Sequence, residues 1–214
     1  MIVIGLTGSI GMGKSTVAQR LRDRGFPVFD ADAEVHRLYA GPAVSAIEAA
    51  FPGTTGQDGV DRSKLAAVLQ SDRAAFERLE TIVHPLVRQA EWRFLQDQEK
   101  AGAKAAVLEI PLLFETGADR LTDADIVVTA PEAVQRARVL ERPGMTDARL
   151  DAILANQMPD REKRGRADYV VDSGQPLEAM LAQVDRIAQA CLERRPQAML
   201  LWRRGTEVQT RGST

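Results

Sequence analysis

Apolar residues along this chain form two patterns, short uninterrupted runs and longer stretches at helical spacing. Five short runs, bounded by glycine or polar residues, are typical of strands that are covered on both faces of a sheet. They span residues 2–6, 26–29, 105–110, 125–129 and 169–171. Helical patterns separate these runs, so strands and helices alternate. The order predicts an α/β fold of three layers, with a five-stranded parallel sheet between two layers of helices.

The longest interval without a predicted strand is residues 33–103, which we expect to be entirely helical. Apolar residues recur at helical spacing within it, most clearly over residues 76–94. Pro85 falls inside that stretch and predicts a kink or a helix restart at His84–Pro85. An insertion of this size between two strands predicts a separate helical subdomain.

Arginines are concentrated at residues 136–166, where Pro143–Gly144 and Pro159 divide the stretch. Two helices joined by a turn, with arginines on one side, predict either a mobile lid over phosphates or a solvated helical face. We favour the lid, because Gly8 and Gly13-Lys14-Ser15 earlier in the chain have the spacing of a phosphate-binding loop, and phosphoryl transfer needs cations that arrive with closure. A last amphipathic helix follows at 177–191, and we expect a disordered tail over 197–214.

A glycine-rich motif follows the first predicted strand directly. Gly8, four further residues and then Gly13-Lys14-Ser15 make the phosphate-binding loop pattern, in the required order of strand, loop and helix. Glycines let backbone N–H groups converge on phosphate oxygens, Lys14 adds a mobile positive charge, and the Ser15 hydroxyl can ligate Mg²⁺. The context disfavours a turn that binds nothing, and the spacing does not satisfy the dinucleotide pattern G-x-G-x-x-G. The residues predicted to bind ATP are Gly11, Met12, Gly13, Lys14, Ser15 and Thr16.

Three carboxylates follow or end predicted strands, where the functional groups of open parallel sheets gather. Asp30 and Asp32 come directly after the second strand, and we expect Asp30 to cap the next helix and Asp32 to act as a general base. Glu109 lies inside the third apolar run, where a charge is costly unless it meets a partner such as Mg²⁺, Lys14 or a bound water.

Composition narrows the class of partner. The 214 residues carry a net charge of −2 and 27% are charged, which gives no indication of nucleic acid or a membrane surface as the main partner. No apolar stretch reaches transmembrane length, and no basic region precedes the first strand, so we expect neither a membrane span nor a signal peptide. Cys191 is the one cysteine, so a buried thiol in a cytoplasmic protein is the simplest interpretation.

Several motifs occur in order along the chain. They are the phosphate loop, Asp30-Ala31-Asp32, Asp61-Arg62, Leu79-Glu80-Thr81-Ile82-Val83-His84-Pro85, Pro111-Leu112-Leu113-Phe114-Glu115, Arg142, Gln157 and Ala167-Asp168-Tyr169-Val170-Val171-Asp172. With them, the chain resembles the dephospho-coenzyme A kinase family over residues 2 to about 190. Glu109 departs from the Asp that many members have there, and Pro143 departs from the Asp or Asn that many members have after the lid arginine.

The resemblance implies transfer of the γ-phosphate of ATP to the ribose 3′-hydroxyl of dephospho-coenzyme A, with Mg²⁺ as cofactor. It implies Asp32 as the base, an acceptor site that includes Asp32, Arg62 and His84, and a contact from Arg142 to ATP. We therefore expect one kinase domain over residues 1–196. Its parts would be a core at 1–32, 104–136 and 167–196, an acceptor-binding insertion at 33–103 and a lid at 137–166.

Two alternatives remain in view. One is another phosphate-loop kinase, acting on a small alcohol or a nucleoside monophosphate, although the size of the insertion disfavours a small alcohol. The other is a GTP-dependent switch. A switch needs an Asn/Thr-Lys-x-Asp motif and an Asp-x-x-Gly motif, and the sequence has neither.

Overall fold

The structure is a computed structural model that describes residues 1–71 and 73–211. Its strands are β1 (Ile2–Thr7), β2 (Val28–Asp30), β3 (Thr55–Gly56), β4 (Gly59–Val60), β5 (Ala105–Glu109), β6 (Ala124–Thr129) and β7 (Tyr169–Asp172). Its helices are α1 (Lys14–Asp23), α2 (Ala31–Tyr39), α3 (Val44–Ala50), α4 (Arg62–Ser71), α5 (Arg73–Lys100), α6 (Glu132–Leu140), α7 (Asp147–Ala155), α8 (Asp160–Arg166), α9 (Leu177–Cys191) and α10 (Ala198–Arg211), with a short 3₁₀ helix at Ala118–Leu121. None of these described helices is long and apolar enough to cross a lipid bilayer. The alternation of strands and helices confirms the predicted α/β fold class.

Five strands form one parallel sheet, as predicted, and their order is β2-β5-β1-β6-β7. From β1 the chain goes outward to β2 and returns to β5, then crosses to the other side of β1 for β6 and β7. The direction in which successive strands are added therefore reverses at β1. In open α/β sheets, ligands bind at the carboxyl ends of the strands beside such a reversal. The register sets Leu6 opposite Glu109 and Thr7 opposite Val127, so the ends of the three central strands lie together.

An apolar core fixes the elements that flank the phosphate loop. The strand β1 is buried along its whole length, as its apolar sequence requires. Val17 and Leu21 of α1 belong to the same core as Val184 and Cys191 of α9. The Cys191 thiol is buried, as expected, and its burial raises its pKa to about 12. The thiol therefore stays protonated and unreactive at neutral pH.

Residues Asp30–Gln96 form a compact unit of their own, and the described residues before and after it form the other. Leu38, Ile47 and Leu65 lie in the apolar core of the first of these units. The prediction that residues 33–103 are entirely helical is wrong, because β3 and β4 pair as a small antiparallel hairpin. Gly59 has φ +104°, and a Cβ there would lie 2.3 Å from the carbonyl oxygen of Tyr39. The turn-rich stretch can therefore pack tightly against the end of α2.

Helix α5 runs from Arg73 to Lys100 with Pro85 inside it, so of the two alternatives predicted at His84–Pro85, a kink or a helix restart, the restart is wrong. A proline in a helix interior removes one backbone hydrogen bond and crowds the preceding turn. Buried apolar residues on both sides offset this cost, with Leu79 and Val83 before the proline and Leu95 after it. Tertiary packing of the apolar face therefore outweighs the local proline signal.

The prediction of a disordered tail over 197–214 is wrong where the structure describes it, because Ala198–Arg211 is the helix α10. The Oδ1 atom of Asp123 accepts hydrogen bonds from the backbone N–H groups of Gln197 (2.6 Å) and Ala198 (2.8 Å), which caps the start of α10. Met199 and Trp202 are buried, and the Trp202 indole N–H donates to the carbonyl of Leu121. Residues 212–214 lie outside the described part.

Candidate active site

The phosphate loop joins β1 to α1 at the carboxyl edge of the sheet. Gly13 caps α1 in the left-handed conformation, with φ +84°. A Cβ at this position would lie 3.0 Å from Ser173 Oγ, so a larger residue would be both strained and crowded. Among the described residues, no group accepts a hydrogen bond from the backbone N–H of Gly11, Gly13, Lys14 or Ser15. These donors, at the positive end of a helix, can bind phosphate oxygens.

Lys14 and Glu109 form an ion pair at the ends of β1 and β5. Lys14 Nζ lies 2.9 Å from Glu109 Oε1, and the other carboxylate oxygen lies 3.9 Å from Arg22. Glu109 is only 4% exposed, so its charge depends on this pairing. Of the three partners considered for Glu109, the structure provides Lys14. A bound triphosphate would compete with Glu109 for the Lys14 ammonium.

The residues present fit a magnesium ion that is held mainly by the nucleotide. Mg²⁺ usually keeps several waters and takes one or two protein oxygens together with substrate phosphates. The Ser15 side chain is exposed in the first turn of α1, beside the free N–H groups. No cluster of three or more metal-binding side chains occurs in residues 1–71 and 73–211. Ser15 therefore remains the predicted protein ligand, with the phosphates supplying the others.

Three side chains that were not connected to the loop from the sequence hold its backbone, and a fourth, Arg138, supports one of them. Ser173 Oγ donates to the carbonyl of Met12 at 2.7 Å, and Arg138 donates to Ser173 Oγ and to its carbonyl at 2.8 and 2.7 Å. Gln135 Nε2 donates to the Ile10 carbonyl at 2.7 Å, and Gln157 Oε1 accepts from the Ile10 N–H at 3.2 Å. Ser173 directly follows β7, at the sheet edge where functional groups gather, and this position was the available signal.

Arg142 lies on the turn between α6 and α7, within the predicted lid. Its side chain is exposed and forms no hydrogen bond or ion pair with any residue that the structure describes. Its neighbours are engaged instead: Arg136 pairs with Asp147 and Asp151, and Arg149 donates to the carbonyl of Gly144. Arg142 is therefore available to an anionic ligand, and its contact with ATP stays a prediction.

The two aspartates after β2 have different surroundings. Asp30 Oδ1 accepts a hydrogen bond from the N–H of Ala33 at 2.9 Å, which confirms Asp30 as the cap of α2. Asp32 lies in the first turn of α2 with an exposed side chain. It has no hydrogen-bond or ion-pair partner within residues 1–71 and 73–211. Asp32 is thus free to accept a proton, and its role as the base stays a prediction.

All three predicted acceptor-binding residues, Asp32, Arg62 and His84, lie within the 30–96 unit, but among the described residues no hydrogen bond or ion pair joins any two of them. Arg62 contacts both ring nitrogens of His36, at 3.2 and 3.3 Å. Burial raises the pKa of Tyr39, and the positive charge of Arg62 opposes that rise. His84 lies on α5 with Glu80 at 3.7 Å, and no contact joins it to Arg62 or Asp32 among the described residues. The contact between Arg62 and His36 was not predicted from the sequence.

Known proteins are similar in sequence to this chain over most of its length. The dephospho-CoA kinase family profile matches residues 2–178. A dephospho-CoA kinase from Rhodopseudomonas palustris (strain BisB18) is 55% identical over 190 residues, covering 89% of this chain and 96% of that protein. A dephospho-CoA kinase from Mesorhizobium japonicum is 57% identical over 187 residues, covering 87% and 95%.

Solved structures show the same fold. TT1252 from Thermus thermophilus superposes with a TM-score of 0.79 at 35% identity, covering 88% of this chain and 96% of that one. The dephospho-CoA kinase from Campylobacter jejuni shares the fold, with a TM-score of 0.65 at 24% identity over 87% of this chain and 95% of that one. The family profile over residues 2–178 and the curated relatives agree with the phosphate loop seen in the structure. The chain belongs to the dephospho-CoA kinase family of enzymes.

Proposed function

We propose that this chain transfers the γ-phosphoryl group of ATP to the ribose 3′-hydroxyl of dephospho-coenzyme A, giving coenzyme A and ADP in the last step of coenzyme A biosynthesis. The observation that carries the proposal is the phosphate loop, where Lys14 lies beside Glu109 and neighbouring N–H groups are free to meet phosphate oxygens. Family membership supplies the identity of the acceptor. Both substrates are small molecules, and we place the reaction in the cytoplasm.

On the ATP side, we assign the phosphates to residues 11–16. Lys14 leaves Glu109 and contacts the β- and γ-phosphates, where its charge stabilises the transition state. Ser15 is the protein ligand of Mg²⁺, which, when bound, neutralises charge on the phosphate oxygens. Arg142 reaches the phosphates when the lid at 137–166 closes, and its exposed, unengaged side chain supports this role.

On the acceptor side, we assign binding to the 33–103 insertion, of which the structure gives 30–96 as a compact unit. Asp32 accepts the proton of the 3′-hydroxyl as the phosphoryl group arrives. The Asp32 carboxylate has no hydrogen-bond or ion-pair partner among the described residues, which supports this assignment. A general base must be free to receive a proton. Arg62 and His84 bind the acceptor, and a guanidinium is well suited to a diphosphate.

The test is an assay of acceptor choice. Purified protein, ATP and Mg²⁺ are mixed separately with dephospho-coenzyme A, adenosine and a nucleoside monophosphate, and ADP release and product mass are followed. We expect dephospho-coenzyme A to have by far the highest kcat/KM, because remote contacts to the pantetheine arm position the 3′-hydroxyl. A Lys14→Ala preparation controls for contaminating kinases. Equal kcat/KM for adenosine, or a preference for the nucleoside monophosphate, would contradict the proposal and favour a different phosphate-loop kinase.

A further inference from the structure

Residues 157–163, which we call the brace segment, link α7 to α8 and bond to the loops that follow three adjacent strands. Gln157 bonds to Ile10, in the loop after β1. The Met158 N–H and Lys163 bond to the loop after β5. Asp160 accepts a hydrogen bond at 2.8 Å from Thr129, the last residue of β6. One segment of the predicted lid region is therefore tied to the carboxyl edge of the three central strands.

Lys163 is the principal anchor of the brace segment. Its side chain is completely buried, which is rare for lysine. The ammonium lies 2.7 Å from Glu115 Oε1 and donates to the carbonyl of Pro111 at 3.2 Å. The same carbonyl accepts a hydrogen bond from Thr7 Oγ1, at the end of β1. Lys163 loses all of its hydration and the half-buried Glu115 loses much of its own, so the pair contributes little net stability. Its role is better sought in the geometry that it fixes.

A chain of contacts leads from Lys163 to the phosphate loop. Glu115 Oε1 accepts both the Lys163 ammonium and, at 2.8 Å, the backbone N–H of Met158. This contact holds the turn that also carries Gln157. From there, Gln157 Oε1 accepts the N–H of Ile10, whose carbonyl is held by Gln135. The backbone N–H and the carbonyl of Ile10 are thus both held in place. Ile10 directly precedes the residues whose free N–H groups would bind phosphate.

We propose that Lys163 and Gln157 are positioning residues for ATP binding. Lys163, through Glu115, fixes the turn from which Gln157 orients the Ile10 peptide of the phosphate loop. The loop is then held ready for the triphosphate, and ATP does not have to order it on binding. This inference rests on the proposed function for the nucleotide alone and is independent of the acceptor.

The test measures ATP affinity by calorimetric titration without any acceptor. Gln157→Met keeps the size of the side chain but removes the acceptor for the Ile10 N–H. We expect the ATP Kd to rise roughly three- to tenfold, the effect of one hydrogen bond. Lys163→Met is expected to raise the ATP Kd by a similar factor and also to lower Tm. Asn156→Ala is the matched control. Its side chain bonds to Ala152 of α7 and to no other residue within 1–71 and 73–211, so the ATP Kd of this variant should not change.

The double variant Gln157→Met/Lys163→Met separates positioning from simple stability. Because both residues act through one contact, its ATP Kd should not exceed that of the weaker-binding single variant. If the ATP Kd of the double variant rises by the product of the two single-variant factors, the proposal is overturned. So would a wild-type ATP Kd in Gln157→Met, or a Lys163→Met variant in which only Tm falls. Since no acceptor is present, failure of the dephospho-coenzyme A assay leaves this test intact.

Discussion

At the scale of single residues, the buried carboxylate of Glu109 depends on Lys14, so removing either partner leaves a charge behind. We predict that Lys14→Ala lowers kcat about 10²–10³-fold, as loss of one transition-state donor does. Tm should fall as well, because Glu109 would retain only Arg22 at 3.9 Å. Adding Glu109→Gln should restore Tm but not kcat. ADP release and thermal melting measure the two effects, and near wild-type turnover in Lys14→Ala would refute the assignment of Lys14.

Asp30 and Asp32 provide a matched pair of residues with separate expected roles. Asp32→Asn keeps the shape of the side chain but removes the base, so single-turnover phosphoryl transfer should slow by roughly 10²–10⁴ with little change in ATP affinity. Asp30→Asn retains a good capping residue for α2, so the chemical step should stay near wild type. If Asp30→Asn is inactive and Asp32→Asn turns over normally, the two roles are reversed.

Local sequence was enough to predict some residue-level features. The Asp30 cap follows from its position just before a helix, and the need of Glu109 for a partner follows from its apolar surroundings. Ser173 and Gln135 support the phosphate loop from 161 and 125 positions away along the chain. Which side chain reaches the loop from that distance depends on strand order and helix placement, and no local pattern encodes either.

At the scale of elements, α10 shows how a short apolar face can be missed. Only Ala198, Met199 and Trp202 are buried in its described first turns, while Leu200 and Leu201 are 55% and 41% exposed. We predict that Trp202→Ala costs roughly 3–5 kcal/mol of unfolding free energy, as for other buried tryptophans. Leu201→Ala is the matched control and should change stability far less. Denaturant unfolding measures both, and equal small losses would show that α10 does not stabilise the fold.

The lid is the second element whose role can be tested. Arg142 has no partner among the described residues, so Arg142→Ala should leave the folded protein stable. If Arg142 contacts ATP only in the closed form, the substitution should lower kcat more than it weakens ATP binding. Steady-state kinetics together with ATP titration test this split. A change in the ATP KM alone would make Arg142 a uniform binding contact.

At the scale of the whole molecule, burial on both faces made the sheet predictable. Each central strand is mostly apolar, with few polar residues such as Glu109 and Asp125, and the five predicted runs became the five strands of one sheet. The β3–β4 hairpin was not predictable in this way, because strands of two residues have no periodicity. The alternative of a helix restart at Pro85 was wrong because packing on both sides of the proline outweighs the local signal.

Two buried acids predict how the stability of the molecule depends on pH. Burial raises the pKa of Asp125 from 3.8 to about 7, and burial likewise raises that of Glu91 from 4.5 to about 7, although Arg88 opposes the second rise. Between the ordinary pKa and about 7, the folded protein binds more protons than the unfolded chain. The contribution of these acids to stability is therefore largest at the acidic end of this window, falls as pH rises through it, and levels off above it.

We accordingly predict that Tm rises when pH is lowered from about 8 to about 6, since each pKa unit is worth ~1.4 kcal/mol. Asp125→Asn and Glu91→Gln remove one titrating group each, and each should flatten the dependence of Tm on pH. The Tm of each variant should exceed the wild-type Tm most at the alkaline end. Acids whose pKa is lowered by an ion pair, such as Asp185 beside Arg20, destabilise the folded protein as pH falls. They do so only at more acidic pH than this range. Thermal melting across this pH range measures the slope. A slope that is unchanged in both variants would show that neither acid is protonated in the folded protein near neutral pH.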